Sequence, residues 1–157
     1  MNYSILKLLH VAAVIIFLGN IITGHFWMHL AIRSKDINII RHSVIGVMRS
    51  DRIFTIPAVI IIIAAGILAA VYGNISILRT GWIVWSIVLF SLSGVIFSTK
   101  LSVLLRKMLE HINKQHGNSE QEWIFIDNLY RQWNTWAVIA IMLPLTALIM
   151  MVLKIPA

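Results

Sequence analysis

Cysteine is absent from the 157 residues, and that absence removes disulfides, covalent c-type haem, thiolate metal centres and iron–sulfur clusters from consideration. Any metal must be held by nitrogen, oxygen or methionine sulfur. Charge is also scarce, at 12% of residues, and acidic residues scarcer still, six against thirteen lysines and arginines. A mean hydropathy of +0.87 lies far from that of a soluble domain of this length. The chain reads as an integral membrane protein.

Uncharged stretches run at about Leu8 to Ile32, Ile53 to Leu78, Thr80 to Thr99 and Gln132 to Leu153. Each reaches the roughly 20 residues that a helix needs to cross about 30 Å of hydrocarbon. Four crossings, expected at 5–32, 54–74, 80–103 and 132–154, consume nearly the whole chain and leave a single domain. The expected fold is all-α, an integral membrane four-helix bundle, with any chemistry set between helices or on short loops.

The basic residues set the orientation. Arg33, Lys35, Arg41, Arg49 and Arg52 follow the first span, and Lys100, Arg106, Lys107, Lys114 and Arg131 lie between the third and fourth. Only Arg79 occupies the remaining loop, with Lys7 and Lys154 near the termini. The positive-inside rule places both basic loops in the cytoplasm and both termini outside, in a bacterial inner membrane. The net charge of +7 is then a topology signal beside anionic headgroups, and nucleic-acid binding is not expected. The first apolar run is too long for a secretory signal, has no small-x-small cleavage site, and is followed by the stop-transfer charges of Arg33 to Arg52. It is read as a retained helix.

Local signals refine the bundle. Helix two is expected to start near Thr55, with Pro57 in its first turn, and to end at Gly73-Asn74. Its Ala64-Ala65-Gly66 and Ala69-Ala70 patches permit close helix approach. Ile37 to Met48 reads as a short cytoplasmic helix that lies at the interface or leads into helix two. Leu101, Leu104, Leu105, Met108 and Ile112 continue helix three to a breaker at His116-Gly117-Asn118, and Ser119-Glu120-Gln121-Glu122 is a capping box for helix four. A helical hairpin therefore extends into the cytoplasm. Pro144 should kink helix four and free a carbonyl one turn earlier, to be satisfied by a neighbour or a water. No internal repeat is evident.

Three constellations bear chemistry. Lys7 and His10 share a helix face near the outer surface, where Tyr72, Trp82, Trp85, Met150, Met151 and Lys154 also fall. A b-type haem there takes His10 as axial iron ligand, with a methionine from helix four or nothing opposite, and Arg79 or Lys7 against the propionates. The bland alternative has Lys7 snorkelling, His10 bonded to a neighbouring helix, and the tryptophans forming an ordinary belt. His25 and His29, at i and i+4, can chelate a divalent metal or copper, with Asp51, His42 and Asp36 on the same side to complete the shell. Against this stands simple solvation of interfacial histidines. Arg131 to Trp136 offers an arginine for a lipid phosphate or a propionate and Asn134 as helix glue, or else a basic aromatic anchor.

The whole chain resembles the uncharacterised bacterial predicted integral membrane proteins of about 150 residues. The likeness rests on Leu6-Lys7 to His10, Gly19-Asn20, Asp51-Arg52, Pro57-Ala58, Gly66, Trp133, Trp136, Met151, Lys154 and Pro156. More distantly it is similar to the HemJ-type protoporphyrinogen oxidases and to the membrane portion of copper-resistance protein D. Lys7/His10, Pro57-Ala58/Gly66, Arg131/Asn134 and Lys154 match the former. That resemblance implies a four-helix bundle with haem b and redox chemistry on a porphyrin, quinone or other lipophilic substrate. Helix three has no histidine between Thr80 and Thr99, so His10 would ligate alone or with a methionine. Two other classes stand beside a haem-dependent membrane oxidoreductase. One is a non-enzymatic metal-handling or transport component using His10, His25 and His29, as a homo-oligomer. The other is a structural subunit that docks a membrane partner through Trp123, Phe125 and Tyr130.

Overall fold

In a computed structural model, described here for residues 3–114 and 120–156, four long helices carry the chain: α1 (Tyr3–Ser34), α2 (Ile37–Tyr72), α3 (Gly81–Lys114) and α4 (Glu120–Leu153). Their 32, 36, 34 and 34 residues correspond to roughly 48–54 Å at 1.5 Å per residue. That exceeds the hydrocarbon core by several turns. All four are apolar enough to span a membrane, and the chain is an all-α integral membrane bundle.

The excess length is collected at the basic end. Met28, Ile40, Val44, Met108, Ile112 and Ile126 are almost fully buried there, while Arg49, Arg106, Lys107 and Glu110 are exposed on the same helices. This is the apolar stripe and polar face of helices packed in water. Nearer the termini the pattern inverts. Ile60, Ile63, Val71, Val88, Leu92 and Val95 are exposed, as lipid-facing residues are, and many of the buried positions are small, Ala58, Ala65, Ala70, Ser86, Ser93, Ala140 and Ala147 among them, beside Phe17, Leu18 and Ile62. Small residues let backbones approach where lipid supplies no hydrophobic drive between helices. In this half α1 packs against α2 and α3 against α4, so the bundle is two helical hairpins side by side.

Helix two differs from its sequence expectation. It does not begin near Thr55, because Ile37–Ser50 runs into it through a π-helical turn at Asp51–Thr55 closed by the Ile56 N–H on the Asp51 carbonyl. Pro57 cannot donate, and in a regular helix its ring crowds the carbonyl four residues back. A widened turn just before it relieves that conflict without ending the helix. A second π turn, Phe97–Leu101, joins the membrane part of α3 to its amphipathic extension. The Asp36 carboxylate caps α2 by accepting from the Asn38 and Ile39 N–H groups at 2.8 and 3.4 Å. At its far end α2 stops at Tyr72, with Gly73 as cap and Asn74 left-handed at φ 52°. The His116-Gly117-Asn118 breaker and Ser119 of the capping box lie outside the described residues.

Pro144 is buried in α4, and the carbonyl it leaves without an amide partner, that of Ala140, accepts the Ser93 hydroxyl at 2.7 Å. The Ser86 hydroxyl shares its proton between the Trp82 carbonyl of its own helix at 2.7 Å and, more weakly, the Ala147 carbonyl of α4 at 3.2 Å. These two serines stitch α3 to α4 in a medium where an unpaired carbonyl costs several kcal/mol. The aromatic residues expected to face a partner on the hairpin are mostly used internally. Tyr130 is buried, and Trp123 packs on the core beneath Lys35, whose ammonium sits 5.9 Å from the ring centroid. Phe125 stays exposed, with His111 against it at 4.2 Å.

Candidate functional site

His10 lies between α1 and α2, its ring against Gly66. A Cβ built at Gly66 would come 3.1 Å from the ring atoms, so the glycine lets the imidazole lie close and a larger residue would make the ring shift by a few tenths of an ångström. The His10 Nδ1 is 2.9 Å from the Ile62 carbonyl. A carbonyl only accepts, which puts the proton on Nδ1 and the lone pair on Nε2. Of the other residues grouped with His10 by sequence, Lys7 and Arg79 are exposed, and Met150 and Met151 are half-buried along α4.

The metal shell drawn around His25 and His29 is not assembled. Asp36 is spent on capping α2, His42 is exposed, and His29 Nδ1 meets the Tyr130 hydroxyl at 2.9 Å. Among the described residues no three histidine, aspartate or glutamate side chains converge as ligands. Helical spacing aligned the two histidines, but the other candidates point to different tasks. Arg131 is exposed and paired with Asp127 at 2.7 Å. Asn134, expected as helix glue, accepts instead from Tyr130 on its own helix at 3.4 Å. Trp133 is no interfacial anchor, since it is 4% exposed and stacks on His25 at 5.5 Å.

The bundle's chemistry gathers one level deeper than His10, about 15 Å along α1, where the two hairpins meet around a cavity of about 270 Å³. Phe17, Phe90, Phe97, Val59, Ile60 and Leu105 make its walls largely apolar. A hydrogen-bonded polar cluster enters from α1 and α2. Asn20 on α1 donates through Nδ2 to the Thr55 hydroxyl at 2.9 Å and to Asp51 Oδ1 at 3.3 Å, and Thr55 donates to the same Oδ1 at 2.9 Å. Thr55 is 3% exposed. Asn20, Asp51 and Thr55 all line the cavity, as do His25, Ser93 and Trp133. Both π turns border it, one through Asp51 and Thr55 and the other through Phe97 and Leu101. Insertion of a residue into a helix turns side chains away from the regular register, and such turns gather at functional sites.

Asn20 and Asp51 carry the resemblance motifs Gly19-Asn20 and Asp51-Arg52, yet sequence reasoning gave Asn20 no role and Asp51 only a place in a metal shell. The available signal was an amide in mid-span and a carboxylate at the edge of an apolar run, each costly in lipid without a partner. Spacing could not show that they meet, because the π turn between Asp51 and Thr55 changes the register that a 3.6-residue period presumes.

No curated protein and no solved structure shows significant similarity to the chain. A family model described as predicted integral membrane protein (DUF2269) matches residues 4–155, almost end to end, and the chain belongs to that family.

Proposed function

We propose that the protein is a membrane-embedded binding protein for a small lipophilic molecule, held in the cavity between its two hairpins with its polar head against Asn20, Asp51 and Thr55. The observation that carries this reading is the join of an apolar chamber with one polar wall inside a bundle that spans lipid. Ligand sites have that composition, a mostly apolar lining with a few convergent polar groups that set orientation. An ionisable side chain held at such depth, at the expense of desolvation, also marks function more often than architecture. With the basic loops cytoplasmic, the site falls in the inner leaflet of a bacterial inner membrane.

The test is a small lipid-soluble aromatic diazirine, photolysed with the protein in liposomes and followed by mapping of adducts. Trp133, closed to lipid by its burial, is expected to carry adduct because the cavity admits the probe. Adducts confined to outward-facing residues would contradict the reading.

A second reading is supported by His10. Donation from Nδ1 to a backbone carbonyl is how metal-ligating histidines are commonly oriented, leaving Nε2 as the donor atom. His10 therefore suits the axial position of a haem b, which would supply one-electron chemistry. Lys7 and Arg79, both exposed, would be the cations for its propionates, and Met150 or Met151 would be the candidate second ligand. An oxidised-minus-reduced spectrum with pyridine haemochrome quantitation decides it. A b-type spectrum lost in His10→Ala supports the haem, and a colourless protein from cells supplied with haem precursors rejects it.

A further inference from the structure

The cavity's own hydrogen bonding defines what its ligand must bring, and its walls define how the ligand arrives. Both bonds that Asp51 accepts from its neighbours fall on Oδ1. Oδ2 has no hydrogen bond among the described residues, and neither does Asn20 Oδ1. Thr55 has already used its only proton on Asp51. The groups left over on Asn20, Asp51 and Thr55 are thus acceptors, which a ligand head satisfies by donating, while the Trp133 Nε1 donor and His25 Nδ1, also without a partner among the described residues, are closed off by burial. Around them stand flat surfaces, Phe17, Phe90 and Phe97, with the His25–Trp133 stack behind, which suit a ring. A chamber of about 270 Å³ holds one small ring system and lies at the lower edge of ordinary ligand pockets.

The approach is lateral. Ile56 and Ile60 on α2 and Gly94 on α3 belong to the cavity lining, and all three are exposed on the outer surface of the bundle. The tight pairings lie within each hairpin, α1 with α2 and α3 with α4, so α2 and α3 leave a gap at that level. Gly94 is the sill of the gap, and a Cβ added there meets nothing within 4 Å. In this part of the bundle the surroundings are acyl chains, so what passes the sill is already dissolved in the bilayer.

We propose that the site takes a phenol-headed lipophile, which enters from the bilayer between α2 and α3 past Gly94, donates its hydroxyl to Asp51 Oδ2, and leaves its apolar tail in the gap. The proposal rests on the cavity reading above and adds to it the chemical class and the route. The probes are 4-nonylphenol and its methyl ether, which differ only in the donor, titrated into protein in liposomes and followed by tryptophan fluorescence.

The phenol is expected to bind wild type about tenfold or more tightly than the ether, the usual effect of a hydrogen bond to a carboxylate. Asp51→Leu should remove that preference. Gly94→Leu, which adds bulk in open space and spares the polar wall, should slow association of both probes at least severalfold while thermal unfolding stays at the wild-type temperature. Equal binding of phenol and ether by wild type overturns the donor assignment and leaves the cavity standing. Unchanged association in Gly94→Leu overturns the lateral route. Failure of both probes to bind wild type overturns the cavity reading together with the proposal.

Discussion

Ser93 shows how a single side chain is recruited by a distant sequence feature. Its hydroxyl takes the Ala140 carbonyl that Pro144 deprives of an amide, so Ser93→Ala is expected to lower stability by about 1–3 kcal/mol, measured by reversible denaturation in mixed micelles. An unchanged midpoint would mean that another group or water takes the carbonyl over. The need for a partner was legible from Pro144 alone. The identity of the partner was not, because it depends on the register between α3 and α4. The same divide runs through the histidines. His10 is placed by its Nδ1 bond and by the space at Gly66, two features whose residues were conspicuous in sequence but whose meeting was not. His25 and His29, read as a pair from their spacing, turn to different neighbours, Trp133 and Tyr130.

The informative element is α2. Its membrane-spanning half and its basic-end half were each recognisable, from an apolar run and from an amphipathic period. Their connection was one of two alternatives in the sequence, and the unbroken passage was not legible, because Pro57 reads as a helix start and only the widened turn at Asp51–Thr55 lets the chain pass it without a break. Deleting Ile53, an exposed residue of that turn, would close it to a regular α turn with the flanking helices kept in register, and would bring the Pro57 ring against the carbonyl four residues back. The expected outcome is a loss well beyond the about 1 kcal/mol typical of a point substitution, read as a lower unfolding midpoint. It should be accompanied by loss of the phenol-over-ether preference as Asp51 leaves Asn20. A shortened helix with wild-type stability would show that the turn is incidental.

The molecule as a whole divides its labour along its length. The basic end is packed as in a water-soluble bundle, and the opposite end is held by small residues and interhelical hydrogen bonds. Met108→Ala, at a fully buried site, should cost about 2–5 kcal/mol. Ile63→Ala, on an exposed lipid-facing position, should cost under about 1 kcal/mol, since it removes no core packing; comparison of their unfolding midpoints checks the contrast. Orientation is tested as simply, because the absence of cysteine makes single-cysteine labelling clean. Arg79→Cys is expected to react with a membrane-impermeant maleimide on intact cells, and Arg106→Cys only after permeabilisation. The reverse pattern would invert the bundle. The four spans and the basic end could be read directly from hydropathy and charge, which act over many residues at once. The cavity could not, since it arises where two hairpins fail to close on each other.

That cavity is the centre of the account, and native mass spectrometry of protein released gently from the membranes in which it was made tests it most directly. The wild-type species is expected to carry one small lipophilic adduct, lost in Asp51→Leu and diminished in Gly94→Leu. Wild-type protein that emerges bare under conditions where ordinary lipid adducts survive would contradict it.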